Sequence, residues 1–381
     1  MHLIAISSST EKNCDKLTKL HRKILDCTRR YGIRFTPAKY ELVHFTRARN
    51  RFNLPATIQL GQGEECAPSP SVRVLGVWLD TKLNWKAHAK VVREKGAIAL
   101  TALSRLNQTT WGPTLRRARV LYTACVRTAL TYGAEAWHEP GKRGAVEREL
   151  ERAQAACLRK ITGAYRATPI REVEAEAAIP PISVYCDEKL RKFIERQKDT
   201  LARRVCQEQC LWRRKRRGSR KTKQKIPNIP TESANQVGTL RPEKQAWEAQ
   251  WAKGVAKWYS VAAKSPVLGK DRLKLHKGLS KAESAILIQS RTGRTSCAHF
   301  LNIRGVPGYE SPVCIHCYTG AETVEHILLH CGAERARRQW REGTTITELL
   351  DSPERAQQVA KWLIQSGRFE HFRLANQLQY E

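Results

Sequence analysis

Three cysteines and one histidine in the C-terminal part of the chain have the spacing of a small zinc site. Cys314, Cys317, His326 and Cys331 follow the pattern Cys-x2-Cys-x8-His-x4-Cys. Zn²⁺ prefers four thiolate or imidazole ligands in tetrahedral geometry, and four protein ligands leave no position for a catalytic water molecule. The pattern therefore predicts a structural Zn²⁺ site, in which metal binding orders the segment.

Other side chains leave parts of this assignment open. His316 and His330 flank the proposed ligands, and either could replace His326. Cys314 and Cys317 could also be incidental thiols. Cys297 and His299 lie nearby but do not complete a second site.

Strands and one helix are predicted around a lysine and a glycine in the first 80 residues. Residues 1–6 alternate weakly, as in a strand, and Ser9 or Thr10 can cap a helix that ends at Gly32. Two further strands are predicted at 40–45 and 72–79 from their β-branched and aromatic residues. Lys39 lies in the loop before the first of them. Gly76 lies within the second.

The rest of the chain is predicted to be mostly helical. Apolar residues recur every three or four positions in three successive segments, a pattern typical of a small helical bundle. Pro113 is placed at the first helical residue of the second segment, and Gly163 ends the third. The predicted helices are residues 91–106, 113–132, 146–161, 183–208, 243–258 and 281–289, the last leading to a basic turn at 291–294.

The charge of the chain favours a polyanionic partner. Among 381 residues, 68 are Lys or Arg and 36 are Asp or Glu, which gives a formal net charge of +32. Nucleic acid is the first candidate, because each phosphate that is neutralised releases counterions; an anionic membrane surface is the competitor. The second predicted helix has a basic outer side, formed by Arg116, Arg117, Arg119 and Arg127. This side either contacts the backbone of a nucleic-acid duplex or is an ordinary solvated helix face.

A block without acidic residues lies between Trp212 and Lys225. It is expected to be disordered alone and to act as a nucleic-acid clamp, a nuclear-import signal or a highly charged linker. Prolines 227 and 230 and the polar stretch to Gly238 mark a domain boundary. The basic residues of the block are Arg213, Arg214, Lys215, Arg216, Arg217, Arg220, Lys221, Lys223 and Lys225.

Several features predict an intracellular protein. The twelve cysteines are scattered, residues 1–10 do not resemble a signal peptide, and no apolar run approaches the roughly eighteen residues of a membrane span. We expect a reducing compartment, with the nucleus favoured by the basic block. The oligomeric state is left open.

Taken in order, these segments resemble the reverse transcriptase of non-LTR retrotransposons. Residues 7–47 resemble the palm helix and lysine loop that follow the catalytic turn, and residues 72–85 (VRVLGVWLDTKLNW) resemble the primer grip and thumb entry. Residues 130–137 resemble a thumb helix, and residues 274–294 through the Cys/His motif resemble the C-terminal region with its zinc knuckle. The resemblance implies RNA and DNA as partners and Lys39 as the acid that protonates the leaving pyrophosphate; the alternative is an ordinary loop lysine. It also implies a primer-grip hairpin at Leu75, Gly76 and Val77, where Gly76 would let a nucleic-acid backbone approach closely; the alternative is a plain hairpin glycine.

The chain departs from this family where the chemistry occurs. Nucleotidyl transfer needs paired carboxylates that hold two metal ions about 4 Å apart. In the family these come from an earlier strand and from a Tyr-x-Asp-Asp turn just before the position of Met1. Asp15, Asp26 and Asp80 offer no such pair, so Mg²⁺ is expected only for the full-length family enzyme. A ribonuclease H domain is not expected either.

The resulting expectation is an α+β remnant of a polymerase palm, followed by a mostly α-helical thumb and a C-terminal region with a small zinc knuckle. Its function would be that of a reverse transcriptase fragment that is inactive alone; the alternative is a non-catalytic RNA- or DNA-binding module. The expected domains are residues 1–84 (partial palm), 85–210 (thumb), 211–242 (basic linker), 243–310 (helical region), 311–335 (knuckle) and 336–381 (helical tail).

Overall fold

The structure is a computed structural model that describes residues 2–46, 54–61, 63–196, 242–253, 260–264 and 267–380. The chain divides into two compact units, one of Met1–Val92 with Gly144–Val146 and one of Arg93–Arg143 with Glu147–Glu381. The described residues are mostly helical, with two small two-stranded sheets. This agrees with the α+β prediction.

The helices and strands of the first half are α1 (Thr10–Arg29), β1 (Ile58–Gly61), β2 (Glu64–Cys66), β3 (Ser71–Val74), β4 (Val77–Asp80), α2 (Lys86–Leu106), α3 (Leu115–Leu121), α4 (Arg127–Leu130), α5 (Ala134–Trp137), α6 (Ala145–Thr162), α7 (Ile170–Glu176) and α8 (Ile182–Arg196). They are followed by α9 (Glu243–Ala252), α10 (Val261–Lys264), α11 (Lys281–Arg291), α12 (Ala298–Ile303), α13 (Ile346–Asp351), α14 (Pro353–Gln365) and α15 (Arg373–Tyr380).

The first unit contains one capped helix and both hairpins. The hydroxyl of Ser9 accepts a hydrogen bond from the Lys12 backbone, so the predicted N-cap of α1 is confirmed. Strands β3 and β4 pair antiparallel through a two-residue turn at Leu75 and Gly76, whose φ angles are +47° and +87°. Two successive positive φ angles are those of a type I′ turn, in which glycine is relaxed and leucine is strained.

Two strand predictions are wrong, and a third predicted segment forms a hairpin. Residues 2–6 belong to no strand, and the segment 40–45 makes only one isolated bridge, between Leu42 and Pro68. The predicted strand 72–79 is a hairpin, because the chain reverses at Leu75 and Gly76. Short apolar runs predict extended backbone, but a strand exists only where a neighbour supplies hydrogen bonds.

Asp80 has a structural role at the end of β4. Its carboxylate accepts hydrogen bonds from the backbone N–H groups of Lys82 at 3.1 Å, Asn84 at 3.0 Å and Lys86 at 3.1 Å. Lys86 is the first residue of α2, so this carboxylate satisfies an N–H group that the helix itself cannot. Asp80 therefore orders the turn that leads into the helix.

Helices of the second unit share a buried core that joins distant parts of the chain. Gly163 ends α6, as predicted, and a Cβ atom there would lie 2.6 Å from Cβ of Ala285 in α11. The Lys281 ammonium group is buried against the same helix end and donates to the Lys160 carbonyl at 3.2 Å. The helix α3 begins at Leu115, two residues after the predicted Pro113. Residues 197–208 of the fourth predicted helix lie outside the described residues.

A buried ion cluster holds α7 to the C-terminal helices. Glu176 is fully buried, and its two carboxylate oxygens each accept from Nε of Arg291 at 3.0 Å. Arg272 and His276 lie 3.8 Å from the same carboxylate, and Asp351 lies 3.0 Å from Arg291. Arg291, predicted to begin a basic turn, is thus a core residue. Its charge was evident from the sequence, but its burial was not.

A second buried polar group lies around His138. Its Nε2 is 2.7 Å from Asp187 and its Nδ1 is 3.4 Å from Glu147. Burial alone would lower the pKa of His138, but hydrogen bonds to Asp187 and Glu147 raise that pKa to about 9. The imidazole is therefore charged at neutral pH and bridges α6 and α8.

We expect this bridge to make stability depend on pH. Because the pKa is raised on folding, the stabilisation by His138, about 3 kcal/mol, is fully present below pH 6.5 and is lost as the pH rises through about 9. Thermal unfolding of wild type and His138→Gln should therefore differ most at pH 6.5 and least at pH 9.5. A difference that stays constant across this range would contradict the assignment.

Candidate metal centre and basic surfaces

The structure brings the four predicted metal ligands together. One ligand atom from each of Cys314, Cys317, His326 and Cys331 lies within 4.8 Å of the others. The Cys314 and Cys331 sulfurs are 3.9 Å apart, and the Cys317 sulfur is 3.2 Å from Nε2 of His326. Zn–S bonds of about 2.3 Å in a tetrahedron separate two sulfurs by about 3.8 Å. Three thiols and one imidazole at these distances form a cluster that could hold a metal ion such as zinc.

Two turns of the backbone position these ligands. The Cys314 N–H donates to the Gly320 carbonyl at 2.8 Å, and Val313 forms a bridge with Ala321, which folds the Cys-x2-Cys turn back on itself. His326 begins a π-helical turn, and the Cys331 N–H donates to its carbonyl at 2.7 Å. The second pair of ligands therefore spans one wide helical turn.

The structure answers which histidine lies with the cysteines. His326 is buried beside them, whereas His316 and His330 are exposed and lie outside the group of four. Cys297 is buried in the hydrophobic core near Cys314, but it is not one of the four grouped ligand residues. The local spacing that favoured His326 thus agrees with its position in the fold.

Arg368 lies more than thirty residues further along the chain and contacts the metal cluster. Its guanidinium donates to the Cys331 sulfur at 3.0 Å and to the Cys314 sulfur at 3.6 Å, and it also donates to Glu334 at 2.7 Å and to Glu322 at 3.2 Å. Burial lowers the pKa of Arg368, but the bonds to Glu334 and Cys314 raise it further than burial lowers it. This permanent cation opposes the rise in the pKa of Cys331 that burial causes.

The cysteines differ in their ease of ionisation. A hydrogen bond from the Thr319 hydroxyl, 3.1 Å from the Cys317 sulfur, lowers the pKa of Cys317 to about 6. Burial raises the pKa of Cys331. Metal binding at neutral pH would therefore release a proton from the buried Cys331 thiol.

Sequence reasoning did not identify Arg368, Glu322, Glu334 or Thr319. Thr319 stands two residues after a ligand, but threonine is too common in turns to indicate this role. Arg368 lies in a polar loop, and no spacing rule connects it to a motif that ends at Cys331. Only the packing of the chain end against the motif brings them together.

Carboxylates do not form a comparable group in the described part of the chain. Asp15 and Asp26 are exposed on α1, where Asp26 lies 3.8 Å from Arg29, and Asp80 caps a turn as described above. Among the described residues, the one set of three or more His, Cys, Asp or Glu side chains placed to hold a metal ion is the Cys/His cluster.

The predicted nucleic-acid contacts belong to different elements of the chain. Lys39 is exposed at the end of a 3₁₀ turn, Pro37–Lys39. Leu75 is 79% exposed at the tip of the β3–β4 turn, while Val77 is buried beneath it. Arg116 and Arg117 are exposed on α3 in the second unit. The basic block, residues 213–221 with Lys223 and Lys225, lies outside the described residues.

Two arginines of the same predicted basic face contact other groups of the protein. Arg119 donates through both Nε and Nη2 to the Ala178 carbonyl, at 3.2 and 3.0 Å. The Arg127 guanidinium stacks 3.8 Å from the centre of the Tyr185 ring. The prediction that these two charges lie on the outer side is therefore wrong, and the basic face reduces to Arg116 and Arg117.

No described helix is both long and apolar enough to cross a membrane. This agrees with the hydropathy of the sequence.

The chain is similar to part of a retrotransposon protein. It is 29% identical over 136 residues to the Retrovirus-related Pol polyprotein from type-1 retrotransposable element R1 4 of Nasonia vitripennis. The match covers 36% of this chain and 34% of the polyprotein, so it spans about a third of that relative's length. No family model and no solved structure matches the chain. This chain is therefore related, over part of its length, to a retrotransposon Pol polyprotein.

Proposed function

We propose that this chain is a reverse-transcriptase-derived part of a non-LTR retrotransposon protein, which binds RNA and DNA but does not itself transfer nucleotides. The observation that carries this proposal is the similarity to the R1 Pol polyprotein. A net charge of +32 supports a polyanionic partner. In this proposal residues 1–84 derive from the palm and residues 85–210 from the thumb.

The β3–β4 hairpin supports a contact with a nucleic-acid backbone. A large apolar side chain at a strained and exposed position, Leu75, costs stability without contributing to the core. Gly76 beside it has no side chain to block an approaching strand. These are properties expected of a primer grip.

The metal cluster has a structural role in this proposal. Zn²⁺ would be held by Cys314, Cys317, His326 and Cys331, and it would supply no open coordination position for catalysis. Its neighbours Val324, Ile327 and Leu328 are part of the large buried cluster that includes Leu363 and Phe372. The metal cluster therefore stabilises the basic C-terminal region as a whole.

A binding titration and a primer-extension assay test the proposal. Affinity for a labelled single-stranded RNA, measured by fluorescence anisotropy from about 50 to 400 mM KCl, should fall steeply because counterions are released. Primer extension on an RNA template with Mg²⁺ should give no product. Binding that is indifferent to salt would contradict the binding function, and nucleotide incorporation would show instead that the chain is a polymerase. Nuclear localisation, expected from the basic block, can be followed with a fluorescent fusion.

Arg116 and Arg117 offer a sharper test of where the backbone binds. The double variant Arg116→Ala/Arg117→Ala should weaken RNA binding about tenfold at low salt and reduce the salt slope by about two. The matched control is Arg143→Ala/Arg152→Ala, which removes the same charge from two exposed arginines that already pair with Glu151 and Glu149. Equal losses in the two variants would exclude α3 as a specific contact.

A further inference from the structure

A cavity of about 500 Å³ lies beside the metal cluster, within the second unit. Its walls come from the end of α11, the following turn, α12 and residues 322–325 of the Cys/His segment. This volume lies in the range of pockets that hold small organic ligands. None of the functions assigned above uses it.

Two buried polar atoms on residues lining this cavity lack partners. The hydroxyl of Ser290 and Nη2 of Arg291 are buried, and neither has a hydrogen-bond partner in the described part of the chain. Both atoms are inaccessible to solvent, so they make the wall at the end of α11 polar without facing the open part of the cavity.

The charges around the cavity favour an anion. Arg291 is balanced by Glu176 and Asp351, and Glu322 is balanced by Arg368. Arg294 and Arg304 also line the cavity and form no ion pair within 4.0 Å among the described residues, whereas Glu325 opposes them. Glu172 accepts a hydrogen bond from Ser260 of the cavity wall and also acts on Arg294. Burial raises the pKa of Glu172 to about 7, so this carboxyl group is only partly charged at neutral pH and the arginines keep an excess of positive charge.

An apolar wall accompanies these arginines. The Phe300 ring lines the cavity, and the Arg294 guanidinium lies 5.9 Å from its centre. Ile303, which also lines the cavity, is 65% exposed. Arginine and aromatic planes side by side are the surfaces on which unpaired bases stack.

We propose that this cavity binds one unpaired nucleotide of single-stranded nucleic acid, with its phosphate at Arg294 and Arg304 and its base beside Phe300. The inference rests on the proposed function, because the nucleotide belongs to a bound strand. It makes the metal segment one wall of a specific site rather than only a structural support.

The test compares two ten-residue probes, an oligothymidylate and a strand of the same number of phosphates without bases, on the zinc-loaded full chain. Wild type should bind the oligothymidylate about tenfold more tightly than it binds the strand without bases. Arg294→Ala/Arg304→Ala should lose most of this preference and weaken oligothymidylate binding about tenfold. The matched control, Arg341→Ala/Arg355→Ala, removes two other exposed arginines of the second unit and should keep the preference.

Zinc content and thermal unfolding of each variant show that it remains folded. Phe300→Leu provides a second variant, which should reduce the preference for bases while keeping the salt dependence. Equal losses in the pocket and control variants, or equal binding of the two probes by wild type, would overturn the inference and leave the general binding function standing. If wild type binds neither probe, the proposed function fails with it. Displacement of the oligothymidylate by thymidine monophosphate at comparable nucleotide concentration would assign the cavity to free nucleotides and overturn the strand assignment.

Discussion

Replacement of Cys331 by serine is expected to abolish metal binding and to lower the melting temperature of the second unit by about 10 °C. Cys331 is fully buried, with its sulfur 3.0 Å from Arg368 and 3.9 Å from the Cys314 sulfur. A serine would lose the zinc ligand and leave the Arg368 cation facing an incomplete cluster. The loss should extend beyond the motif because Ile327 and Leu328, which lie between the last two ligands, are core residues.

Elemental analysis and thermal unfolding followed by circular dichroism measure both effects. Wild type should contain about one zinc per chain, and a strong chelator should lower its melting temperature to that of the variant. Cys125→Ser is the matched control, since Cys125 is an exposed cysteine outside the cluster. If the chelator lowers the melting temperatures of wild type and Cys331→Ser equally, or lowers neither of them, the four residues do not form a structural metal site.

Replacement of Glu176 by glutamine is expected to destabilise the second unit by about 3–5 kcal/mol. Glu176 is fully buried and compensates Arg291 and Arg272, whose side chains are also nearly inaccessible. Burial raises the pKa of Glu176, but the charges of Arg291 and Arg272 lower it to about 2. The folded pKa is therefore below the unfolded one, so this stabilisation is present above pH 4.5 and is lost only as the pH falls through about 2.

Urea unfolding at neutral pH measures this effect. Glu354→Gln is the matched control, because Glu354 is exposed near the start of α14 and should change the free energy of unfolding by less than about 0.5 kcal/mol. A double-mutant cycle with Arg291→Met separates the Glu176–Arg291 coupling from general loss of packing. A loss in Glu176→Gln no greater than in the control would show that the ion cluster does not hold the unit together.

The sequence alone determined the features that depend on nearby residues. The ligand spacing placed three cysteines within eighteen positions, a separation that two turns can close, and the structure brings those side chains together with His326. The apolar periodicity located α2, α6 and α11 to within a few residues. Ser9 marked a helix start through its side-chain hydroxyl, and Gly163 marked a helix end through its positive φ angle. These predictions succeeded because the interactions that decide them are local.

Only the tertiary structure decided which charged side chains make contacts within the protein and which remain exposed. Arg119, Arg127 and Arg291 have the same chemistry in the sequence as Arg116 and Arg117, yet the first three contact other parts of the protein and the last two are exposed. The strands at 2–6 and 40–45 failed for the same reason, because a strand needs a partner that its own residues do not specify. Arg368 reaches the metal cluster through packing between segments that are remote in the chain. Burial and long-range pairing depend on the whole folded chain, so no local pattern of residues could have revealed them.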